Sequence, residues 1–174
     1  MKSIAEERKN GTIELLFTKP ISDFEIIMAK YTSSVVLLII ALIPTLVYYW
    51  SMYSLGNPVG VIDDGATITS YLGLLLLGAS FISVGVFCSS LTGSQIVAFI
   101  LSMFFCWFLY DGLNLLGSFN LMGDFDLIVR YLSASYHYES IKKGVVDTSD
   151  ILYFLSIISI FLFSSLTVLK SLKK

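Results

Sequence analysis

Four runs of nearly unbroken apolar residues, at about 31–53, 71–91, 95–116 and 151–169, are set between polar stretches. Each is about 20 residues, and a helix of that length rises about 30 Å, the thickness of the bilayer hydrocarbon. The pattern predicts an all-α integral membrane protein, a helical bundle with four transmembrane spans. Before the first run lies a charged segment, residues 1–30, whose punctuation predicts short helices. Gly11 interrupts one helical run. Thr12 is placed to N-cap a second, residues 13–19, with Ile13, Leu16 and Phe17 along one edge. Pro20 ends it, because the ring removes a helical donor and restricts Lys19 before it. Ser22, with Glu25 three residues on, makes a capping box for a third helix.

The connections differ. Residues 92–94 are too few for anything but a tight turn between antiparallel neighbours. In residues 54–69, Gly56-Asn57-Pro58 and Asp64-Gly65 read as turn signals. Residues 117–150 are longer. Leu127, Ile128, Tyr131 and Leu132 fall at helical spacing, with Ile141 as an extension, and Tyr136, His137 and Tyr138 are amphipathic. One or two short helices lying in the interface are expected there. Lys142-Lys143-Gly144 reads as a helix C-terminus, and Thr148 or Ser149 as the cap of the last span.

Composition agrees with the pattern. The 174 residues are 56% hydrophobic and 14% charged, well below the roughly 25% charge of a soluble domain. A net charge of −2 points away from a nucleic-acid partner. Residue 1 on the cytoplasmic side puts Lys2, Arg8, Lys9, Lys19, Lys30, Lys170, Lys173 and Lys174 inside, against Arg130, Lys142 and Lys143 outside. The positive-inside rule then favours both termini in the cytoplasm. Tyr48, Tyr49, Trp50 and Tyr53 form an aromatic belt at the far interface, where Trp107, Tyr110 and Tyr153 are also expected.

Inside the spans, Pro44 should kink the first. Gly78, Gly85 and Ser89 share one face of the second, where small residues let a helix approach closely, either within the bundle or at a subunit interface or pathway wall. Asp111 is the only acidic residue within a span, near its outer end; an intramembrane carboxylate is a functional candidate, and an interfacial role fits its position equally. The Tyr110-Asp111 pair lacks the second aspartate that an intramembrane aspartyl protease needs. His137 with Glu139 nearby does not make a metal site and reads as an interfacial ring beside two tyrosines. Cys88 and Cys106, at different depths, read as buried thiols rather than a disulfide. There is no phosphate-binding loop, dinucleotide fingerprint, zinc motif or nucleophile elbow. No catalytic constellation, cofactor site or metal site is legible.

The run Glu6-Glu7-Arg8-Lys9-Asn10-Gly11-Thr12-Ile13-Glu14-Leu15-Leu16, followed by Lys19-Pro20-Ile21-Ser22, resembles the E-x-x-x-G-T-x-E-x-L…P signature of ABC-2 type transporter permeases. Residues 137–141, 144–147 and 153–154 are similar to the stretch that leads into the last span of those proteins. The likeness covers essentially the whole chain and is nearest the gliding-motility-associated permeases, with copper-processing and multidrug-type ABC-2 permeases as near alternatives. It implies a single ABC-2 type transmembrane domain, residues 1–174, in a bacterial inner membrane. It also implies that residues 1–30 form a cytoplasmic coupling segment, with Gly11, Thr12, Ile13, Glu14, Leu16, Phe17, Lys19 and Pro20 against an ABC ATPase subunit. ATP and Mg would be bound by that partner, and a second permease half would complete the pathway. The expected function is that of a non-catalytic permease subunit of an ATP-driven exporter. The alternative is a non-transporting membrane anchor of a surface or motility machine. Such permeases generally have six spans, so the chain resembles the last four.

Overall fold

The computed structural model of the chain describes residues 4–6, 22–56, 63–118, 123 and 125–171. Among these there is no strand. Four helical stretches are long and apolar enough to cross a membrane: Asp23–Leu55, Asp64–Leu91, Gln95–Ser118 and Thr148–Ser171.

Helix α1, Asp23–Leu42, starts where local chemistry dictates. The Ser22 side chain accepts from the Glu25 N–H at 3.3 Å, and the Glu25 carboxylate accepts from the Ser22 N–H at 2.9 Å, the reciprocal pairing of a capping box. The helix then runs without a break through Lys30 into the apolar run, so the first span begins eight residues before the apolar stretch alone suggests. Pro44 interrupts it. Helix α2, Thr45–Leu55, follows after a tightened turn in which Leu46 and Val47 donate to the carbonyls of Ile43 and Pro44, three residues back. The Thr45 hydroxyl takes up the Leu42 carbonyl at 2.6 Å, the kind of side-chain compensation that makes proline tolerable in an apolar helix.

Helix α3, Asp64–Leu91, is the hub. It packs against α1 and three of the helices described below, and 56% of its most apolar window is buried, against 11–17% in the other three spans. Its N-cap is Asp63, whose carboxylate accepts from the Ala66 N–H at 3.2 Å. Asp64 and Gly65 therefore belong to the first helical turn rather than to a loop, because an aspartate beside them offers the better cap. After a short turn comes α4, Gln95–Trp107, which passes through a π-helical turn at Phe108–Gly112 into α5, Leu113–Ser118.

Two short helices replace a free loop: α6, Phe125–Tyr131, and α7, Ala134–Lys142. The α6 edge of Leu127, Ile128 and Tyr131 and the adjoining Leu132 are exposed, as an interfacial helix requires. Ile141 departs from that edge: it is fully buried against Leu77, Ala134 and Phe154. Gly144, at φ 86°, ends α7 in the left-handed conformation glycine adopts without strain. The last span, α8, Thr148–Ser171, is capped by Asp147, which accepts from the Ser149 N–H at 3.4 Å, and not by Thr148 or Ser149.

The bundle has two distinct ends. At one, Ile26 and Ile27 of α1 meet Leu169 of α8 and Val86 of α3. At the other, α7 and the start of α8 pack on the start of α3, where Gly73 lets the Ile141 side chain come so close that a Cβ would sit 2.8 Å from it. Tyr49 of α2 also donates to Asp64 at 2.5 Å at this end.

Candidate functional site

At the first end Ser89 accepts two backbone N–H groups in its hydroxyl, from Ile4 at 3.2 Å and Ala5 at 3.0 Å. Both residues are buried. This bond joins the beginning of the chain to the end of α3. Gly85, one turn earlier and buried, shares with Ile4, Lys30, Ser34 and Ser89 the wall of a cavity of about 140 Å³. Gly78, two further turns along, faces α1: a Cβ there would lie 2.6 Å from Leu38 Cδ2. Gly78, Gly85 and Ser89 thus line the seam between α3, α1 and the N-terminal residues of the same chain. Pro44 lies in the tightened turn between α1 and α2. Asp111 falls within the π-helical turn, half-buried; such turns widen a helix locally.

The residues expected to touch an ATPase subunit, Gly11, Thr12, Ile13, Glu14, Leu16, Phe17, Lys19 and Pro20, lie outside the described residues. What is described is their two flanks. On one side Ile4 and Ala5 are bonded to Ser89; on the other the Ser22 cap leads into Ile26 and Ile27, which are buried against Leu169. The described residues on both flanks, Ile4 and Ala5 before and Ile26 and Ile27 after, therefore pack at the same end of the bundle.

The second end contains a cluster of buried polar groups. His137, 1% exposed, does not sit as an interfacial ring. Its Nδ1 is 2.6 Å from Oδ1 of Asp150, which is itself buried, and its Nε2 is 2.9 Å from the Tyr131 carbonyl. The imidazole stacks on Tyr153 at 4.1 Å between ring centres and meets Tyr131 and Tyr136 edge-on. A carbonyl only accepts, so Nε2 carries hydrogen. Ser133 donates to the Tyr110 carbonyl at 2.6 Å, and Tyr153 donates to the Leu132 carbonyl at 2.6 Å. Arg130 reaches Asn114 at 3.3 Å. These bonds clamp α6 and α7 onto α8, α5 and the π-helical turn. Sequence reasoning singled out His137 and missed Asp150. The available signal was the spacing of Asp150 and Tyr153, three apart in the first turn of the last span, which puts both on one face.

Among the described residues no group of three or more His, Cys, Asp or Glu is placed to hold a metal ion. Cys88 and Cys106 are both free, the first buried and the second half-buried.

The family model for ABC-2 family transporter proteins matches residues 1–173. The chain belongs to that family. Searches of curated proteins and of solved structures return no match. As an ABC-2 family member the chain is a membrane permease component of an ABC transporter, of a kind generally without catalytic activity of its own. Membership implies association with an ABC ATPase and with the membrane. The four apolar helices accord with a multi-pass membrane protein.

Proposed function

We propose that this ABC-2 family chain is the membrane subunit of an exporter, with residues 11–20 as the lever that couples a separate ATPase to substrate movement. One observation carries the reading. The described residues that flank the G-T-x-E signature in sequence, Ile4 and Ala5 before it and Ile26 and Ile27 after it, contact Ser89 and Leu169 at the same end of the bundle. A force applied there reaches α1, α3 and α8 together. Closure of two ATP-bound ATPase subunits would pull two such levers toward each other and rock the permease halves as rigid bodies. Ile13, Leu16 and Phe17 supply the apolar grip, and Glu14 and Lys19 the polar contacts. ATP and Mg belong to the partner, the second permease half is a further copy or a homologue, and the membrane is the bacterial inner membrane. The likeness of residues 6–16 to the gliding-motility-associated permeases makes surface motility the candidate setting.

The test is co-purification of an ABC ATPase subunit co-expressed with this chain. Glu14→Arg and Leu16→Asp should each abolish recovery of the ATPase while the chain stays in the membrane at normal abundance. Full recovery with both variants overturns the docking role. Transport in proteoliposomes containing both subunits separates an exporter from a membrane anchor, which would hydrolyse ATP and move nothing.

A further inference from the structure

At the first end of the bundle a groove of about 210 Å³ runs between α1 and α8. Ile27 and Met28 form one wall, and Ser159, Leu162, Phe163 and Leu166 the other. The four α8 residues stand at i, i+3, i+4 and i+7, which is one face of a helix. The Ser159 hydroxyl is turned back on the Leu155 carbonyl at 2.8 Å, so the groove presents apolar surface. Ser159 lies at the midpoint of α8, Thr148–Ser171, and the face that it begins reaches Lys170 near the end. From Ser159 to Lys170 the helix rises about 16 Å, roughly half of the bilayer hydrocarbon, or one leaflet. A groove that starts at the midplane and stops at head-group level has the dimensions of a single acyl chain. Lys170 gives the second observation. It is exposed, four residues after Leu166 and seven after Phe163, and so lies on the face of the groove. Among the described residues it makes no ion pair or hydrogen bond. Of the carboxylates in the first turn of α1, Glu25 holds the Ser22 N–H at 2.9 Å, and Asp23 also has a partner. The sequence adds Lys173 and Lys174 just beyond Lys170. An unpaired cation at the end of an apolar groove one leaflet long is complementary to a lipid with an anionic head.

We infer that this groove holds one acyl chain of an anionic phospholipid of the bilayer, with the phosphate of the head group at the Lys170 ammonium. The acyl chain lies along Phe163 and Leu166. Ile27, which lines the groove, also meets Leu169, so a bound chain extends the apolar packing that joins α1 to α8. A zwitterionic lipid carries the same phosphate, but its own ammonium opposes Lys170, so net head charge is what the site selects. The site needs only the spans. It stands or falls independently of the coupling role, and it holds whichever side of the membrane this end faces.

The experiment uses the full chain with Trp50→Phe and Trp107→Phe as background and Phe163→Trp as the fluorescent reporter. It is reconstituted in phosphatidylcholine vesicles containing a brominated lipid, either phosphatidylglycerol or phosphatidylcholine; bromine quenches an adjacent indole. Phe163 and Lys170 are both exposed, so replacing them leaves the packing intact. Phosphatidylglycerol should be preferred at the reporter about fivefold, the worth of one lysine at an anionic head. Lys170→Gln should bring the preference close to unity, and Lys170→Arg should keep it. A reporter placed by Phe99→Trp, on an exposed position of α4, a helix without a basic residue, should show no preference. Equal quenching by the two lipids at the first reporter marks ordinary annular lipid. Absence of quenching by either marks a second copy of the chain, or another protein helix, seated on the groove. An equal preference at the Phe99 position, or a preference untouched by Lys170→Gln, marks the bulk charge of the membrane surface. Each of these results overturns the inference.

Discussion

A carboxylate that is 4% exposed cannot lose its partner cheaply. Breaking a buried pair by removing one member costs about 3–5 kcal/mol, because the other charge is left without compensation. His137→Phe keeps the stacking on Tyr153 but strands Asp150 and the Tyr131 carbonyl. It should lower the thermal midpoint of the detergent-solubilised chain substantially, read by loss of the monodisperse peak after heating. Asp150→Asn should cost only about 1 kcal/mol, the scale of one ordinary hydrogen bond, since its amide donates to Nδ1. Equal losses from the two variants would mean that shape, and not charge pairing, holds α7 to α8. This pair was the least legible feature of the sequence. His137 and Asp150 come from separate helices joined by a turn at Gly144, and local spacing cannot say which faces meet. The Ser22 cap was fully legible, because Ser22 and Glu25 carry the whole signal within four residues.

At the scale of the helix, periodicity placed the spans but misread their ends. Asp64-Gly65 has the composition of a turn, yet Asp63 caps first and draws both into α3. Ile141 continues the α6 spacing, yet the turn at Leu132–Ser133 rotates the next helix and turns Ile141 toward Gly73. Such outcomes depend on tertiary contact. The small face of α3, by contrast, was legible as a close-approach surface, and the structure fills it with α1 and the N-terminal residues. Gly78 gives the direct test. The nearest atom to a Cβ at this position is the tip of Leu38, which can swing aside, so Gly78→Ala should be nearly neutral once the gain in helix propensity is included. Gly78→Leu overpacks the seam and should cost about 1–3 kcal/mol. Adding Leu38→Ala should restore most of that loss. Failure of the double variant to recover thermal stability would show that α1 and α3 do not meet there.

Four spans with Ile27 against Leu169 at one end, and α6 and α7 at the other, place Ser22 and Ser171 together and Lys143 opposite them. Which end faces the cytoplasm is a separate matter, decided by charge. Lys30 and Lys170 belong to the first end, and the flanking sequence adds Lys2, Arg8, Lys9, Lys19, Lys173 and Lys174. The second end has Arg130, Lys142 and Lys143, with Glu139, Asp147 and Asp150 among them. Basic residues near the span ends resist export, and acidic ones contribute little to orientation. Single cysteines at exposed Ser171 and Lys143, in a background with Cys88 and Cys106 replaced by alanine, report the two claims separately. A membrane-impermeant maleimide should label Lys143→Cys in intact spheroplasts and Ser171→Cys only after permeabilisation, and Glu14→Cys should follow Ser171→Cys. Labelling of both ends from one side would break the four-span geometry. Reversed labelling would keep the geometry but leave the lever facing away from any ATP-hydrolysing partner, since ATP is confined to the cytoplasm, and the coupling role would fall with it.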